Sequence, residues 1–200
     1  MVDQPESVLA FWFGAPGSAT EIAGRQGKLW FGKSPANDQA VIDRFAATLT
    51  AATAGHLDHW TYTPRGRLAL VIVLDQFPHH IYRDRPQAFA TDPQSLALSL
   101  DALESGEDRQ LAPIERVFLY LPLEHAESLA MQERSVSLYE QLAHEAAADE
   151  RALFDNFLDY ARKHRDVVAR FGRFPHRNTI LGRPSTPDEI EFLKQPGSRF

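Results

Sequence analysis

Apolar side chains recur every three or four residues along most of this chain, and capping residues, prolines or glycines mark where many of these runs begin and end. The clearest run lies between Asn37, which can cap a helix, and Gly55, which can end one. Its apolar residues are Val41, Ile42, Phe45, Leu49 and Ala52. No segment alternates apolar and polar residues beside a hairpin turn, as paired strands would. We therefore predict an all-α fold.

Capping residues and prolines divide the rest of the chain into further helices. The predicted ranges are 3–14, 92–103, 113–119, 124–147, 149–171 and 186–194. The residues between 14 and 37 are predicted to be a glycine-rich connection. Pro122 is expected to separate two helices, because proline interrupts the helical hydrogen bonds. Residues 65–77 fit a buried strand or a buried helix equally by pattern, and we predict a helix.

Length and composition predict one domain over residues 1–200. A chain of 200 residues that is 44% hydrophobic can bury roughly 70% of its unfolded surface. The N-terminus lacks the basic start of a signal peptide, and the longest apolar run, Leu68 to Leu74, is far shorter than the ~20 residues of a membrane span. We expect a soluble, cytoplasmic protein without a membrane partner. Cysteine is absent, which excludes disulfides and thiolate chemistry.

The distribution of charge bears on the binding partner. A net charge of -6 argues against nucleic acid, because the phosphate backbone repels a negative surface. The charge is uneven, however, since seven basic residues and one acidic residue lie between Arg162 and Arg183. This stretch fits either a local site for an anion or a solvated helix surface.

Two predicted helices place histidine on an apolar face. His164 lies within the inward stripe of the helix at 149–171, next to Val168 in that stripe. On the preceding predicted helix, His125 and Gln132 share the inward face. An inward imidazole can be a hydrogen-bonded structural group or an acid–base group that titrates near neutral pH. Both interpretations remain open.

Polar residues also follow the apolar run 68–74. Pro78 is expected to end or kink the helix just before it. Asp75, His79 and Arg83 would then gather around one turn. The alternative is a purely structural cap with an ion pair between Asp75 and Arg83.

A second polar group occupies the predicted loop after residue 172. Its members are Arg173, His176, Arg177, Asn178 and Arg183. Loops on a rigid scaffold often carry binding sites, and guanidinium groups offer forked donors that suit carboxylate or phosphate. The alternative is that these residues bind the protein's own acids and helix ends.

Other kinds of site lack support. His125 and Glu127 do not have the spacing of a known metal-binding motif, so we predict no metal. Ser128 and Ser135 lack a nucleophile elbow, and no glycine-rich phosphate loop is present. The sequence identifies no cofactor.

Six segments resemble the bacterial domain of unknown function 924 family. They are VLAFWFG, LWFG, LDQFPHHIYR, AFATDP, RVFLYLPLEHAES and FGRFPHRNTILGRPSTPDE, and together they span nearly the whole chain. The resemblance implies an all-helical fold similar to tetratricopeptide repeats, with a helix at 65–77. It implies no activity, cofactor or catalytic residue. His79 and His80 stand where the resemblance implies Arg-Asn.

Three hypotheses about function follow. The first is a pocket for an anionic small molecule, with His125 or His176 as the general acid or base. Its other candidate residues are Asp75, His79, Arg83, Arg116, Gln132, His164, Arg173, Arg177, Asn178 and Arg183. The second is a module that binds a protein or peptide in a groove between stacked helices. The third treats these residues as hydrogen-bonded pins between helices. We favour the first.

Overall fold

The computed structural model describes residues 2–198, and all regular structure in that range is helical. The α-helices are α1 (Pro5–Phe13), α2 (Ala19–Trp30), α3 (Pro35–Thr53), α4 (Pro64–Asp75), α5 (Phe77–Ile81), α6 (Asp92–Ser105), α7 (Pro113–His125), α8 (Leu129–Glu145), α9 (Arg151–Phe171) and α10 (Pro187–Phe192). Short 3-10 helices lie at Asp58–Tyr62, Pro86–Phe89, Glu107–Gln110 and Pro175–Arg177. No strand is present in residues 2–198, so the predicted all-α fold is confirmed.

Local signals in the sequence account for several helix ends. Thr186 begins α10 with a capping box: its hydroxyl accepts a hydrogen bond from the backbone N–H of Glu189, whose carboxylate accepts one in return. Gly106 and Gly172 end α6 and α9 with φ angles of 72° and 69°. This left-handed conformation costs glycine least, because glycine has no Cβ.

The central helix is α4, which contacts α1, α3, α5, α6 and α7. Every residue from Leu68 to Asp75 is buried. A helix that is surrounded on all sides has no polar face and therefore no helical periodicity. This explains why the pattern at 65–77 also fits a strand, although the predicted helix is correct.

The predicted connection between residues 14 and 37 is wrong, because α2 occupies 19–30. Its capping box at Ser18 and the burial of Ile22 and Trp30 stabilise the helix. These contacts offset the cost of Gly24 and Gly27, about 1 kcal/mol each in a helix interior. The cap of α3 is Ser34 rather than Asn37, whose backbone N–H donates to the Ser34 hydroxyl.

The predicted break at Pro122 is also wrong, because α7 continues through it to His125. Val117 to Glu124 are all buried, so packing outweighs the roughly 3 kcal/mol that proline costs inside a helix. The break lies at 126–128, and α8 begins at Leu129. His125 and Gln132 therefore lie on different helices, not on one face.

The buried apolar residues form two clusters. The larger one extends from α1 to the first half of α9. The smaller one consists of Val167, Val168 and Phe174, with Phe171 and Phe192 packed against it. It joins residues 172–198, here called the C-terminal segment, to the end of α9. No helix in residues 2–198 is long and apolar enough to cross a membrane. The similarity to tetratricopeptide repeats stays a prediction.

Candidate functional site

A buried carboxylate at the end of α4 is paired with a histidine at the end of α7. The side chain of Asp75 is 0% exposed, and its Oδ1 lies 3.0 Å from Nδ1 of His125. Gln76 donates from Nε2 to Oδ2 of Asp75 at 2.6 Å. Helix α4 ends at Asp75 and α5 begins at Phe77, as predicted from Pro78. We call Asp75 and His125 the dyad.

The electrostatics of the dyad favour its charged form. Burial opposes charge on His125, but the Asp75 carboxylate outweighs burial and raises the pKa of His125 above its ordinary value. Burial likewise opposes charge on Asp75, but the His125 imidazolium outweighs it and lowers the pKa of Asp75. Both shifts have the same cause, the attraction between an imidazolium and a carboxylate.

The other ring nitrogen of His125 is free to meet a ligand. The side chain is 17% exposed. Nε2 makes no hydrogen bond to residues 2–198, and it is not among the buried polar atoms that lack a partner, so solvent reaches it. One nitrogen is therefore fixed by Asp75 while the other remains accessible to solvent, which is the arrangement of an oriented acid–base histidine.

His79 on α5 lies beside the dyad. Its ring centre is 5.7 Å from that of His125 and 5.4 Å from that of Phe89. Burial, together with the positive charge of His125, lowers the pKa of His79 to about 3. His79 is therefore neutral at neutral pH. Its Nε2 is buried and has no hydrogen-bond partner among the described residues.

Arg177 reaches the same region from the C-terminal segment. Its guanidinium packs against the rings of Phe89 and Phe174, with Cζ 4.6 Å and 4.7 Å from their centres. Its Nη1 donates to Oδ2 of Asp92, the first residue of α6, at 3.2 Å. Burial raises the pKa of Asp92 to about 6, against the opposing effect of Arg177.

Two further histidines flank the dyad. The ring of His164 on α9 is 6.5 Å from that of His125, and its Nδ1 lies 3.0 Å from Oε1 of Glu124. The ring of His176 is 5.7 Å from that of Phe174. Burial and the charge of Arg177 lower the pKa of His176 to about 3. A neutral His176 is less suited than His125 to donate a proton.

Gln132 has a structural contact next to the dyad. Its Nε2 donates to the backbone carbonyls of Glu124 and Ala126 at 2.5 and 2.8 Å. These carbonyls lie where α7 ends and have lost their helical partners. Gln132 therefore holds the turn that positions His125.

The remaining predicted residues of the C-terminal segment bind the protein's own acids. Arg173 donates to both carboxylate oxygens of Glu189 at 2.7 and 2.8 Å. Arg183 donates to both oxygens of Glu127 at 2.6 and 2.8 Å. Asn178 accepts from Nε of Arg183 and donates to Glu189. The structural alternative given for the arginines therefore describes Arg173 and Arg183.

Two predicted residues lie away from the dyad. Arg83 donates to both oxygens of Asp38 on α3, so the alternative ion pair between Asp75 and Arg83 is not formed. Arg116 donates to the hydroxyl of Tyr120 and to Glu145. Neither contacts Asp75 or His125 among the interactions of the described chain.

The sequence did not reveal the acids that complete the site. Asp92 lies 85 residues from Arg177, and Glu127 lies 56 residues from Arg183. Asp92 reads in the sequence as an ordinary first residue of a helix. The only feature of the sequence that indicates buried acidic partners is the excess of arginines at 162–183, because arginines require such partners when they are buried.

Two cavities in the described structure lie away from the dyad. A cavity of about 560 Å³ is lined by Phe13, Ile22 and Ile114, and another of about 400 Å³ lies beside Arg173 and Glu189. Neither includes Asp75 or His125. Within residues 2–198, no group of three or more histidine and acidic side chains is arranged to hold a metal ion.

Comparison with known proteins places the chain in a family. A sequence model for a bacterial protein of unknown function, DUF924, matches residues 8–197. The solved structure of ATU0120, a protein of unknown function from Agrobacterium tumefaciens, is similar, with a TM-score of 0.80 and 35% sequence identity. The match covers 95% of this chain and 96% of that one. No curated protein matches. The chain therefore belongs to the DUF924 family of bacterial proteins, whose function is not known.

Proposed function

We propose that this protein is an enzyme that acts on a small anionic molecule by general acid–base catalysis at His125. The observation that carries the proposal is the dyad: Asp75 is fully buried, and it holds Nδ1 of a partly exposed imidazole at 3.0 Å. Burying a carboxylate costs several kcal/mol unless a charged partner is well placed. A purely structural histidine does not require such a partner.

The dyad supports a specific role for each member. Asp75 fixes the imidazole ring and stabilises its charged form, which leaves Nε2 to exchange a proton with a substrate. Because the Asp75 carboxylate raises the pKa of His125, the pair favours the protonated imidazole, which is the form that acts as a general acid. It would first donate its Nε2 proton to a substrate oxygen or nitrogen and then recover a proton from the product or from water.

The charge of the site supports an anionic substrate. Asp75 favours the positively charged form of His125, and Arg177 is close enough to influence the pKa of His125. The carboxylates of Asp75 and Asp92 are each already engaged with one of these cations. An anion that binds at Nε2 can therefore pair with the imidazolium and lie near the guanidinium of Arg177.

The experiment compares wild type with His125→Gln on a mixture of metabolites. Each protein is incubated with a bacterial small-molecule extract, and mass spectrometry records which anionic compounds disappear. We expect at least one compound to be consumed by the wild type and to be consumed 10²–10⁴ times more slowly by the variant, the usual contribution of an acid–base group.

The matched control is His144→Gln, because His144 lies on α8 with an exposed side chain. It should consume the compound at the wild-type rate. Near-ultraviolet circular dichroism establishes that both variants are folded. If the wild type and His125→Gln leave identical extracts, the catalytic proposal is wrong.

The interaction module receives less support. Exposed large apolar residues of the described chain lie in different elements, for example Phe31 after α2, Leu129 on α8 and Ile190 on α10. Binding grooves for helices or peptides usually combine several such residues in one patch. We also propose the cytoplasmic location that the sequence predicts, and fractionation of bacterial cells would test it.

A further inference from the structure

Three buried polar atoms without partners belong to side chains next to the dyad. They are Nε of Arg177, Oδ1 of Asp92 and Nε2 of His79. Arg177 and His79 both contact the ring of Phe89, and Asp92 is hydrogen-bonded to Arg177, so the three side chains lie together. We call the space that they border the recess. A buried polar group without a partner costs about 1–3 kcal/mol. Three such atoms in one place indicate that something else binds them.

Arg177 presents an open fork in this recess. Its Nη1 is engaged by Asp92, and the rings of Phe89 and Phe174 both pack against its guanidinium. Nε is buried without a partner, whereas Nη2 makes no hydrogen bond to residues 2–198 and is not fully buried. The N–H bonds of Nε and Nη2 are parallel and bind the two oxygens of a carboxylate or a phosphate.

Asp92 adds a second requirement. Its Oδ2 accepts from Arg177, but its buried Oδ1 accepts from nothing in the described chain. A ligand that placed only acceptor oxygens there would bring like charges together. A hydroxyl or ammonium group adjacent to the bound anion would instead donate to Oδ1.

The charge balance selects the anion. Three carboxylates, Asp75, Asp92 and Glu127, are each matched by one cation, namely His125, Arg177 and Arg183. A ligand with one negative charge disturbs this balance less than a phosphate with two. We infer that the recess binds a carboxylate that bears a hydroxyl or amino group on its α-carbon, with the carboxylate on the fork of Arg177 and the α-group on Asp92.

This inference rests on the proposed function for the role of His125, but binding at Arg177 is a separate property. The test measures binding by nuclear magnetic resonance titration, with lactate, propionate, lactamide and inorganic phosphate as probes. Lactate should bind most tightly. Propionate, which lacks the α-hydroxyl, and lactamide, which lacks the charge, should each bind roughly tenfold more weakly, as expected for the loss of one buried hydrogen bond or charge.

Two variants test the assigned partners. Arg177→Lys keeps the charge but removes the forked pair of donors, and it should weaken the binding of lactate roughly tenfold or more. Asp92→Asn should bind propionate at least as tightly as the wild type does, because it removes a nearby negative charge. It should no longer prefer lactate, because its single amide oxygen accepts from Arg177 and leaves the NH₂ group facing the α-hydroxyl. Because Asp92→Asn retains the volume of the side chain, it provides a test even if Arg177→Lys does not fold.

Several outcomes would overturn the inference. They are lactamide or propionate binding as tightly as lactate, phosphate binding more tightly than lactate, or no binding of any probe at concentrations up to the high millimolar range. His125→Gln should still bind lactate, although less tightly, because it removes a neighbouring positive charge but leaves the fork of Arg177. If it does not, the anion lies on His125 and the recess is misassigned, while acid–base catalysis at His125 would still stand. If lactate binds at Arg177 but no metabolite is turned over, the recess stands and the catalytic proposal fails.

Discussion

Glu127→Gln should release the C-terminal segment while leaving the rest of the fold in place. Glu127 accepts two hydrogen bonds from Arg183 and one from the backbone N–H of Phe174, at 2.6–2.8 Å. The segment has its own small apolar cluster, separate from the main core, so it can open locally. Local opening of this kind is measured by the exchange of individual amide protons.

The magnitude follows from the contacts. Hydrogen bonds to charged groups contribute about 1.5–3 kcal/mol each. The glutamine keeps one acceptor oxygen, and Glu127 and Arg183 are each 25% exposed, so we take a net loss of about 2 kcal/mol. This corresponds to roughly 30-fold faster exchange in the segment.

The assay follows amides whose bonds lie within the segment and compares them with core amides. The N–H of Leu181 donates to the carbonyl of Arg177, and the N–H of Arg183 donates to that of Asn178. Their exchange should accelerate, while that of the buried Val71 in α4 should not. In the control Glu140→Gln, the lost partner Arg162 is half exposed, and the effect should stay below about 1 kcal/mol. Equal acceleration in the segment and the core, or none in either, would refute the reasoning.

Two further predictions concern Asp38 and His79. Asp38→Asn should lower the free energy of unfolding by about 2 kcal/mol, because Asp38 accepts hydrogen bonds from both Arg83 and His80. Denaturant unfolding would measure this loss. A change in lactate binding would contradict the placement of Arg83 outside the site. The pKa of His79 is lowered from 6.5 to about 3 in the folded protein, so the unfolded chain binds the extra proton between these values and stability is lost as the pH falls from 6.5. At pH 5 the loss from His79 is about 2 kcal/mol. The pKa of Asp92 is raised to about 6, so Asp92 increases stability as the pH falls from 6 to 3.8. The contribution of His79 is therefore measured as the difference in unfolding free energy between wild type and His79→Gln at each pH. Unfolding curves with the same pH dependence in both proteins would show that His79 is not held neutral.

The helical class and many helix ends could be predicted because they depend on local chemistry. Gly172, Thr186 and Pro78 each act on neighbouring residues, and each does what the sequence indicates. The wrong predictions, the break at Pro122 and the connection at 14–37, concern helices that are stabilised by tertiary packing. Pro122 lies in a helix that is buried over eight residues, and the glycines of α2 are offset by burial of Ile22 and Trp30. Such contacts cannot be read from neighbours in the sequence.

The candidate site could be predicted only in part, because its partners come from distant parts of the chain. His125 and Asp75 were both candidates, but their contact joins residues 50 positions apart. The predicted helix face for His125 was wrong, although the residue does face inward. Asp92 and Glu127 give no local sign that they bind Arg177 and Arg183. Buried ion pairs are a property of the tertiary fold, so the residue types can be predicted but the pairs cannot.

The most direct measurement is a pH titration of the His125 imidazole by nuclear magnetic resonance, in wild type and in Asp75→Asn. In the wild type the pKa of His125 should lie above its ordinary value of 6.5, because the Asp75 carboxylate outweighs burial. In the variant, burial and Arg177 still lower the pKa of His125 and Asp92 still raises it, but the largest favourable influence is gone, so the pKa should fall below that of the wild type. If the variant does not fold, the wild-type value alone decides. A pKa at or below 6.5 in the wild type, or one unchanged by the loss of the carboxylate, would contradict a dyad formed by Asp75 and His125.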